Sequence, residues 1–454
     1  MTFRKKHIAL FLMLIISIAP FSCRKSNYII EANDVVINDN GGGTGTTTWE
    51  KGKEYLLEGR VFVNDGQVLT IEAGTVVRFK SGNGAAASAL IVSRGGKIIA
   101  EGTASDPIVF TSENDDLEGS VDAEESGLWG GLIILGSATI NSPTDEAFIE
   151  GIPLSEPRGI FGGNNDSDNS GILKYVSIRH SGTELGNNNE INGLTLGGVG
   201  NATIIENIEV IGNADDGIEI FGGTVNLKRI AVAFSDDDAI DIDLGYRGII
   251  QFVCLIQNEL YGDKLLEIDG GEEIKTSHPY SLPQIYNLTA VGRGENVLNS
   301  CISFWDNAGG TVANSIFINQ TKGIEIEYSA SRHSSFDQWE IGNLKFENNI
   351  LFNVNKNMQK GFFHLIAIND ESIENLTIIL ENYFLDTKNQ FVDPGFVINQ
   401  NNYSLISDST TIRDNLATLP QNNNFLEEVN YKGAFGTYNW LGDWSLLNQE
   451  GIIW

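Results

Sequence analysis

The chain has 454 residues, a formal net charge of −31 and 41% hydrophobic residues, against 20% charged residues. This strong negative charge makes nucleic acid and anionic lipid surfaces poor partners, because both repel an acidic protein. The apolar content is too high and too regularly spaced for an intrinsically disordered chain, so we expect a packed fold.

The first 22 residues are interpreted as an export signal. Basic residues at 4–6 precede an apolar run over 8–21 that is too short to span a bilayer. Ser22 and Cys23 resemble the lipobox of bacterial lipoproteins, in which the signal is cut before a cysteine that is then lipidated, although Pro20 stands where a leucine is usual. We predict an exported lipoprotein held in outer-membrane lipid through Cys23, on its periplasmic or surface face; an ordinary cleaved signal peptide is the alternative.

The next segment, residues 23–50, is predicted to be a flexible tether, because GGGTGTTT at 41–48 has little to bury. Two further cysteines, Cys254 and Cys301, cannot build the disulfide framework of a small secreted protein. We expect both to be buried free thiols in a fold held together by its core.

A strand motif then recurs along the chain with little helical periodicity between its copies. The intervals between starts are 24, 22, 26, 36 and 22 residues. A repeated strand with turns of variable length is typical of a solenoid, so we predict an all-β, right-handed parallel β-helix of roughly a dozen rungs over residues 51–375, followed by a C-terminal cap over 376–454. The copies are GLTLGG at 193–198, GIEIFGG at 217–223, AIDIDLG at 239–245, LLEIDGG at 265–271, CISFWD at 301–306 and GIEIEY at 323–328.

Successive side chains of a strand point to opposite faces, which sorts each copy of the motif into an inward and an outward set. The inward file is Leu194, Ile218, Ile240, Leu266, Ile302 and Ile324. One outward file is Thr195, Glu219, Asp241, Glu267, Ser303 and Glu325, and a second is Gly197, Phe221, Asp243, Asp269, Trp305 and Glu327.

The outward files form an acidic stripe that must be neutralised or solvated. Two unit charges on rungs ~4.8 Å apart repel by about 3 kcal/mol at an effective dielectric of 20. DDGIE at 215–219 and DDAID at 237–241 repeat one acidic motif a coil apart and offer the oxygen ligands that Ca²⁺ requires. The sequence leaves open a Ca²⁺ site or a solvated structural stripe; the ligands of the site would be Asp215, Asp216, Glu219, Asp237, Asp238, Asp241 and Asp243.

These motifs also carry a resemblance. NEINGLTLGGVG at 189–200, DDGIEIFGGTVN at 215–226, DDDAIDIDLGYRGIIQF at 236–252 and the ending YKGAFGTYNWLGDW are similar to a family of secreted or lipid-anchored, pectin-lyase-like parallel β-helix proteins from Bacteroidetes-type bacteria. The resemblance implies the fold and an exported location, and it implies no activity. The architecture also resembles that of pectate lyases and related polysaccharide enzymes, although one fold hosts many functions.

Three functions fit these observations. The first is a non-catalytic surface protein that binds polysaccharide or an envelope protein, with Phe221, Trp305 and Glu325 as binding residues. The second is a Ca²⁺-assisted polysaccharide lyase or a glycoside hydrolase acting on the outer face, and the third is a purely structural role. The catalytic candidates for the second are Asp241, Asp243, Glu267, Arg247 and His180, of which Arg247 is also interpreted as a salt-bridge partner of the stripe and His180 as a structural histidine. We expect a binding or structural lipoprotein.

Overall fold

The computed structural model describes residues 35–186, 189–271, 278–294, 297–368, 372–399, 402–421 and 423–454. Its strands stack into a parallel β-helix, which confirms the predicted fold class; the handedness of the coil stays a prediction. The export signal, Cys23 and the first part of the tether lie outside the described residues. Within the described ranges, no helix is both long and apolar enough to cross a membrane.

One wall of the β-helix is a ten-stranded sheet built from the recurring strand motif. Leu194 lies opposite Ile218, and Ile218 lies opposite Ile240, so the inward file stacks as predicted. Thr195, Glu219 and Asp241 stack in the same way on the outer side. The strands are Arg60–Val63, Ala89–Val92, Leu132–Leu135, Leu194–Gly197, Ile218–Phe221, Ile240–Asp243, Leu266–Asp269, Ser300–Trp305, Lys322–Tyr328 and Phe363–Ala367.

The remaining walls belong to a seventeen-stranded sheet, which also pairs in parallel from coil to coil. Its strands are Val35–Asn38, Thr47–Trp49, Glu54–Glu58, Val68–Ile71, Val76–Phe79, Lys97–Glu101, Ile108–Ser112, Gly171–Ser181, Ile204–Asn213, Asn226–Ser235, Ile249–Ile256, Gln284–Gly294, Gly310–Ala313, Ile316–Gln320, Leu344–Glu347, Ile350–Val354 and Gln390–Phe391. Three antiparallel hairpins extend from the coils: Glu146–Phe148 with Ile160–Gly162, Thr183–Gly186 with Asn189–Ile191, and Val397–Asn399 with Asn402–Ser404.

The seventeen-stranded sheet bends at residues with left-handed backbone geometry. In several coils two such positions lie five residues apart, as at Tyr175 and His180 or at Arg229 and Phe234. The first of the two positions recurs in seven coils. Asparagine tolerates this geometry better than most residues, and it occupies four of the seven positions. The bend residues and their φ values are Tyr175 (48°), Asn207 (57°), Arg229 (58°), Phe252 (61°), Asn287 (56°), Asn314 (54°) and Asn348 (58°).

The interior is apolar along the length of the solenoid. The inward side chains of the ten-stranded sheet, such as Ile218 and Ile240, meet those of the opposite wall, such as Ile208 and Ile230, and all four are at most 1% exposed. Each fully buried aliphatic side chain of this size stabilises the fold by about 1.5–3 kcal/mol. Cys254 and Cys301 are buried free thiols, as expected.

The start of the β-helix differs from the sequence prediction. Val35–Asn38 pairs in register with the strand that begins at Glu54, and Thr47–Trp49 pairs with Leu69–Ile71. The Trp49 ring stacks on Tyr55 with 4.9 Å between centroids. The tether prediction is therefore wrong for residues 35–50, because strand pairing and one buried tryptophan order a segment whose glycines suggested flexibility.

The C-terminal region also differs in part from a simple cap. Helix α2 (Glu374–Asp386) does close the end of the core, where Leu380 and Phe384 are buried. The chain then returns along the outer face of the seventeen-stranded sheet as residues 397–454, which we call the C-terminal segment. Its buried residues form a second apolar cluster with outward side chains of six coils. The remaining helices are α1 (Ser335–Glu340) and α3 (Leu446–Gln449), and short 3-10 turns lie at Gly84–Ala86, Pro157–Gly159, Asn355–Asn357, Thr410–Arg413 and Gly442–Trp444.

Polar contacts hold the C-terminal segment in place. At three of the left-handed bends, Asn287, Asn314 and Asn348 donate their side-chain amides to its carbonyl groups, at 2.9, 3.3 and 2.7 Å. Farther back along the solenoid, the Glu209 carboxylate accepts from the amides of Leu446 and Leu447, both at 2.9 Å. Glu209 is fully buried, so its carboxylate has lost the hydrogen bonds that water would provide. The two backbone amides replace those hydrogen bonds.

We predict that Glu209→Gln destabilises the docked C-terminal segment. Glutamine keeps the shape but loses the charge and one acceptor, which costs about 1–3 kcal/mol when a buried donor is left unpaired. Chemical denaturation should show this loss, and hydrogen exchange at Leu446 and Leu447 should accelerate. The control is Glu206→Gln on the same strand, whose partly exposed ion pair with Arg229 should contribute less than about 1 kcal/mol. Equal effects of the two substitutions would contradict the assigned role of Glu209.

Candidate functional site

Three consecutive coils enter the ten-stranded sheet through the same acidic turn. Asp215-Asp216 precedes Ile218–Phe221, Asp237-Asp238 precedes Ile240–Asp243, and Asp263-Lys264 precedes Leu266–Asp269. Because the strands pair in register, the three turns also stack on one another. The charged residues of the three turns therefore lie one above another at one edge of the sheet.

The second residue of each turn forms a hydrogen-bonded ladder between coils. The Asn192 side-chain oxygen accepts from the Asp216 amide at 3.2 Å, Asp216 Oδ1 accepts from the Asp238 amide at 2.8 Å, and Asp238 Oδ1 accepts from the Lys264 amide at 2.5 Å. The ladder uses one oxygen of each aspartate to satisfy a backbone donor of the next coil. The other carboxylate oxygen remains for a different partner.

The carboxylates converge into three overlapping groups. In each group, one oxygen per residue lies within 4.8 Å of the others. The groups are Asp215, Asp216 and Asp237; Asp216, Glu219 and Asp241; and Asp237, Asp238 and Asp263. Six of the seven metal ligands predicted from the sequence are among them, whereas Asp243 belongs to none of these groups of described residues. We refer to these seven grouped residues, with Asp243, Glu267, Asp269, Glu150 and Glu190, as the acidic cluster.

Three carboxyls of the acidic cluster are buried. Asp216 and Glu219 are each 8% exposed and Asp238 is 2% exposed. Glu150 of the hairpin at 141–165 and Glu190 of the hairpin at 183–191 reach the cluster from above. The predicted outward direction of these side chains is confirmed. Asp216, Glu219 and Asp238 are nevertheless buried, whereas Asp237 is exposed.

Burial and mutual repulsion raise the pKa of these carboxyls. The pKa of Asp215 rises to about 8, through burial first and the charges of Glu190 and Glu150 next. Burial also raises the pKa values of Asp216, Glu219 and Asp241 well above the usual range, with further contributions from neighbouring carboxylates. Burial and like charge thus both favour the protonated form of these carboxyls, whereas a bound cation would favour the charged form.

One lysine neutralises part of the cluster. Lys264 Nζ lies 2.7 Å from Asp263, 3.0 Å from Glu267 and 3.9 Å from Asp238. Burial opposes its charge, but Asp238 and Glu267 overcome this and raise its pKa. The group formed by Asp237, Asp238 and Asp263 therefore has an internal counter-ion, whereas the groups around Asp216 make no ion pair in the described part of the chain.

Two carboxylate oxygens face the cluster without a hydrogen-bond partner among the described residues. They are Oδ1 of Asp241 and Oδ1 of Asp269, and both atoms are buried. A buried carboxylate oxygen without a partner costs several kcal/mol unless a proton or a cation compensates it. Asp241 belongs to the group with Asp216 and Glu219. The donor set, all hard oxygen atoms, fits Ca²⁺.

The structure disperses the catalytic residues predicted from the sequence. Asp241, Asp243 and Glu267 lie on the acidic face of the ten-stranded sheet. Arg247 is 3.1 Å from Asp166, outside the acidic cluster, so its interpretation as a partner of the stripe is wrong. His180 lies on the seventeen-stranded sheet, is 1% exposed and donates from Nδ1 to the Glu125 carbonyl at 2.8 Å. Burial lowers the pKa of His180, as expected of a structural histidine.

The predicted binding residues do not form an exposed aromatic row. Phe221 packs under the first hairpin, with its ring 6.0 Å from that of Phe161. Trp305 is half-buried, and Glu325 pairs with Lys322 at 2.9 Å. Phe221 is thus unsuited to stacking on a ligand, because the hairpin already occupies its outer face.

An open cleft of 960 Å³ instead lies beside the last strands of the same sheet. Tyr328 ends the strand Lys322–Tyr328, and its ring packs edge-on against Phe336 of α1 at 5.4 Å. Arg332, at the rim, is held 2.7 Å from the buried Glu327. The cleft is lined by aromatic rings and by side chains of both charges, among them Tyr280, Tyr328, Arg332, His333, Phe336 and Asp337.

Several residues of this region were not predicted from the sequence. Asp263 had a usable signal, since YGDKLLEID aligns with FSDDDAIDID and places Asp263 under Asp237. No sequence signal marks Glu150 or Glu190 as part of the cluster, because both residues lie in insertions outside the repeat. The cleft was missed for the same reason, since α1 and Tyr280 come from segments between strands.

Comparison with known proteins bears on the fold of the whole solenoid. No curated protein and no solved structure matches the chain. The family model described as a pectate-lyase-like β-helix domain matches residues 41–381, which include the stacked acidic turns and most of both sheets. The chain therefore belongs to the family of pectate-lyase-like β-helix domains.

Proposed function

We propose that this chain is an exported, lipid-anchored protein of the bacterial outer membrane that binds Ca²⁺ in its acidic cluster and binds glycan, without cleaving it, in the cleft beside Tyr328. The single observation that carries the cation site is the group of Asp216, Glu219 and Asp241, whose oxygens lie within 4.8 Å of one another. The basis for export and anchoring is the signal and the lipobox-like Ser22-Cys23 pair.

The position of the cluster supports a structural use of the cation. Coils 215–219 and 237–241 would both contribute ligands, so one Ca²⁺ would tie adjacent rungs together. Asp216, Glu219 and Asp238 are each at most 8% exposed. A polymer therefore has little access to these three acids, which argues against their use in bond cleavage.

The cleft supports the glycan-binding part of the proposal. Tyr280 and Tyr328 offer partly exposed rings, and Arg332, His333 and Asp337 surround them with hydrogen-bonding groups. Pockets that combine aromatic surface with a few polar groups are the usual form of small-ligand sites. In this proposal a sugar ring stacks on Tyr280 or Tyr328 rather than on Phe221, which the sequence had suggested.

A polysaccharide lyase or glycoside hydrolase is the second candidate function. The observation that favours it is the same cleft, where His333 Nδ1 lies 3.8 Å from Asp337 Oδ2 and both side chains reach solvent. A carboxylate beside a histidine is a common acid–base pair.

Calcium is expected to stabilise the protein through the acidic cluster. At a free Ca²⁺ concentration of one hundred times Kd, the free energy of unfolding should rise by about 2.7 kcal/mol. Asp216→Asn with Asp241→Asn should abolish this response and stabilise the calcium-free protein, because two buried charges are removed. Thermal and chemical unfolding with Ca²⁺ or with chelator measure both effects.

The control for this experiment is Asp116→Asn with Asp122→Asn, in the exposed acidic loop at 115–126. These substitutions remove the same formal charge and should leave the calcium response intact. An unfolding midpoint that does not move with Ca²⁺ in the unmodified protein would end the calcium proposal.

The metal-free protein should lose stability as the pH rises. Asp215 has a folded pKa of about 8, against an ordinary value near 4. Its contribution to stability is therefore fully present below about pH 4 and is lost as the pH rises toward about 8, by up to about 1.4 kcal/mol per pH unit for each such group. Unfolding free energies at pH 5 and pH 8 should show this loss, and Ca²⁺ should remove it. Asp215→Asn should flatten the profile, whereas Asp408→Asn, at an exposed position, should not.

Glycan binding is tested by Tyr280→Ala, which removes a ring of the cleft. We expect the affinity for soluble envelope oligosaccharides to fall by at least about tenfold, or ~1.4 kcal/mol. Titration calorimetry against a panel of neutral and acidic oligosaccharides gives the measurement. Tyr438→Ala is the control, since Tyr438 is 73% exposed and lies outside the cleft.

Product analysis on the same panel separates binding from catalysis. New reducing ends or unsaturated products, lost in His333→Ala, would replace the binding proposal with the enzyme. Tight binding without products would support the non-catalytic function. Neither binding nor products across the panel would leave the structural role as the remaining function.

A further inference from the structure

The open cleft beside Tyr328 has one arginine among its described lining residues, and the charge of that arginine is already paired. Arg332 Nη2 lies 2.7 Å from Glu327 Oε1. The Glu327 side chain is fully buried, and its Oε2 accepts from the amide of Asn307 at 3.3 Å. Because a buried carboxylate that loses its counter-ion is strongly destabilising, a ligand that drew Arg332 away from Glu327 would weaken the fold.

The other permanently charged side chains of the described lining are acidic. Asp337 accepts from the amide of Ser334 at 2.9 Å within the capping box of α1, and Glu340 ends the same helix and is exposed. His333 is charged only when protonated, and its Nδ1 lies 3.8 Å from Asp337 Oδ2, so that charge would also be paired. The described lining contains no lysine. The cleft therefore presents two carboxylates and no unpaired positive charge.

This distribution of charge opposes the entry of an anionic ligand. The whole chain has a formal net charge of −31, so the field outside the cleft has the same sign as the charge of its lining. Like charges brought together at a binding surface lower both the association rate and the affinity. A glycan with one carboxylate per sugar ring would meet this repulsion at each ring that enters the cleft.

The same residues are complementary to a glycan without charge. An ionised carboxylate accepts hydrogen bonds and donates none, so Asp337 and Glu340 match the hydroxyl donors of a sugar ring. A carboxylate on the ligand would place acceptor against acceptor. Tyr280 and Tyr328 are partly exposed and offer aromatic surface for the apolar face of a sugar. Both kinds of contact are available without an ionic partner.

We propose that the cleft beside Tyr328 selects glycans that carry no negative charge and discriminates against uronic-acid glycans. This inference rests on the proposed glycan-binding function and names the class of glycan that the cleft accepts. The selectivity has two sources. Glu327 neutralises the one arginine of the described lining, and Asp337 with Glu340 supplies acceptors where an anionic glycan requires donors.

Matched pairs of oligosaccharides test the proposal on the full chain. Each pair consists of a uronic-acid oligosaccharide and its carboxyl-reduced counterpart, which share length and linkage and differ in charge. Titration calorimetry at low salt should show that the uncharged member of a bound pair binds at least about tenfold more tightly. The difference should narrow at high salt, because screening weakens the repulsion of the charged member alone.

Glu340→Lys tests the source of the selectivity. Glu340 is exposed at the C-terminal end of α1, where a lysine suits the helix dipole, so the fold should be retained. The preference for the uncharged member should fall by at least about twofold, as expected for a charge at an exposed position. Glu118→Lys is the matched control: it makes the same change of net charge in the exposed loop at 115–126 and should leave the preference intact.

The outcomes separate this inference from the glycan-binding function beneath it. If the uronic-acid member of a bound pair binds as tightly as its reduced counterpart or more tightly, the binding function stands and the selectivity is overturned. Equal effects of Glu340→Lys and Glu118→Lys would also overturn it, because the cleft would not be the source of the preference. If no member of any pair binds, the glycan-binding function itself fails and the inference fails with it. The comparison within pairs on the unmodified protein decides the matter even if Glu340→Lys folds poorly.

Discussion

The in-register stacking of parallel strands is the constraint on which the rest of this structure depends. Each residue of a coil lies ~4.8 Å above its equivalent in the next coil, so similar sequences place similar side chains in contact. Inside, this gives the continuous file of Leu194, Ile218 and Ile240, which packs without gaps. Outside, the same rule stacks Glu219 on Asp241 and Asp241 on Glu267, where the result is repulsion.

The fold reduces that repulsion in two ways that the structure displays. The ladder through Asp216 and Asp238 turns two carboxylates into acceptors for backbone amides of the next coil. Lys264 then replaces the second aspartate of the third turn and brings a positive charge to Asp263 and Glu267. Glu219 and Asp241 take part in neither arrangement, and Asp216 makes no ion pair among the described residues. This remainder is the physical reason to expect protons or a cation there.

The two outer faces of the solenoid are used differently. The C-terminal segment covers the seventeen-stranded sheet and is fixed by asparagines at the left-handed bends and by Glu209. Hairpins cover the early and middle coils of the ten-stranded sheet, while its last coils carry the open cleft beside Tyr328. The acidic cluster and the open cleft are thus separated along one face. The proposed cation site uses the acidic cluster, and the proposed glycan site uses the cleft.

The sequence by itself determined the β-helix, its strand register and the direction of each side chain, because a period of two along each strand and a repeat along the chain are properties of local order. It also marked six of the grouped carboxylates, since Asp215 to Glu219 and Asp237 to Asp241 repeat one motif. Only the tertiary structure decided that Asp216, Glu219 and Asp238 are buried and that Phe221 packs near Phe161. It alone showed that Val35–Asn38 and Thr47–Trp49 are strands. It alone brought Glu150 to Glu219 and laid the C-terminal segment along the other sheet. These outcomes depend on insertions that follow no repeat, so no periodicity in the sequence could indicate where they dock.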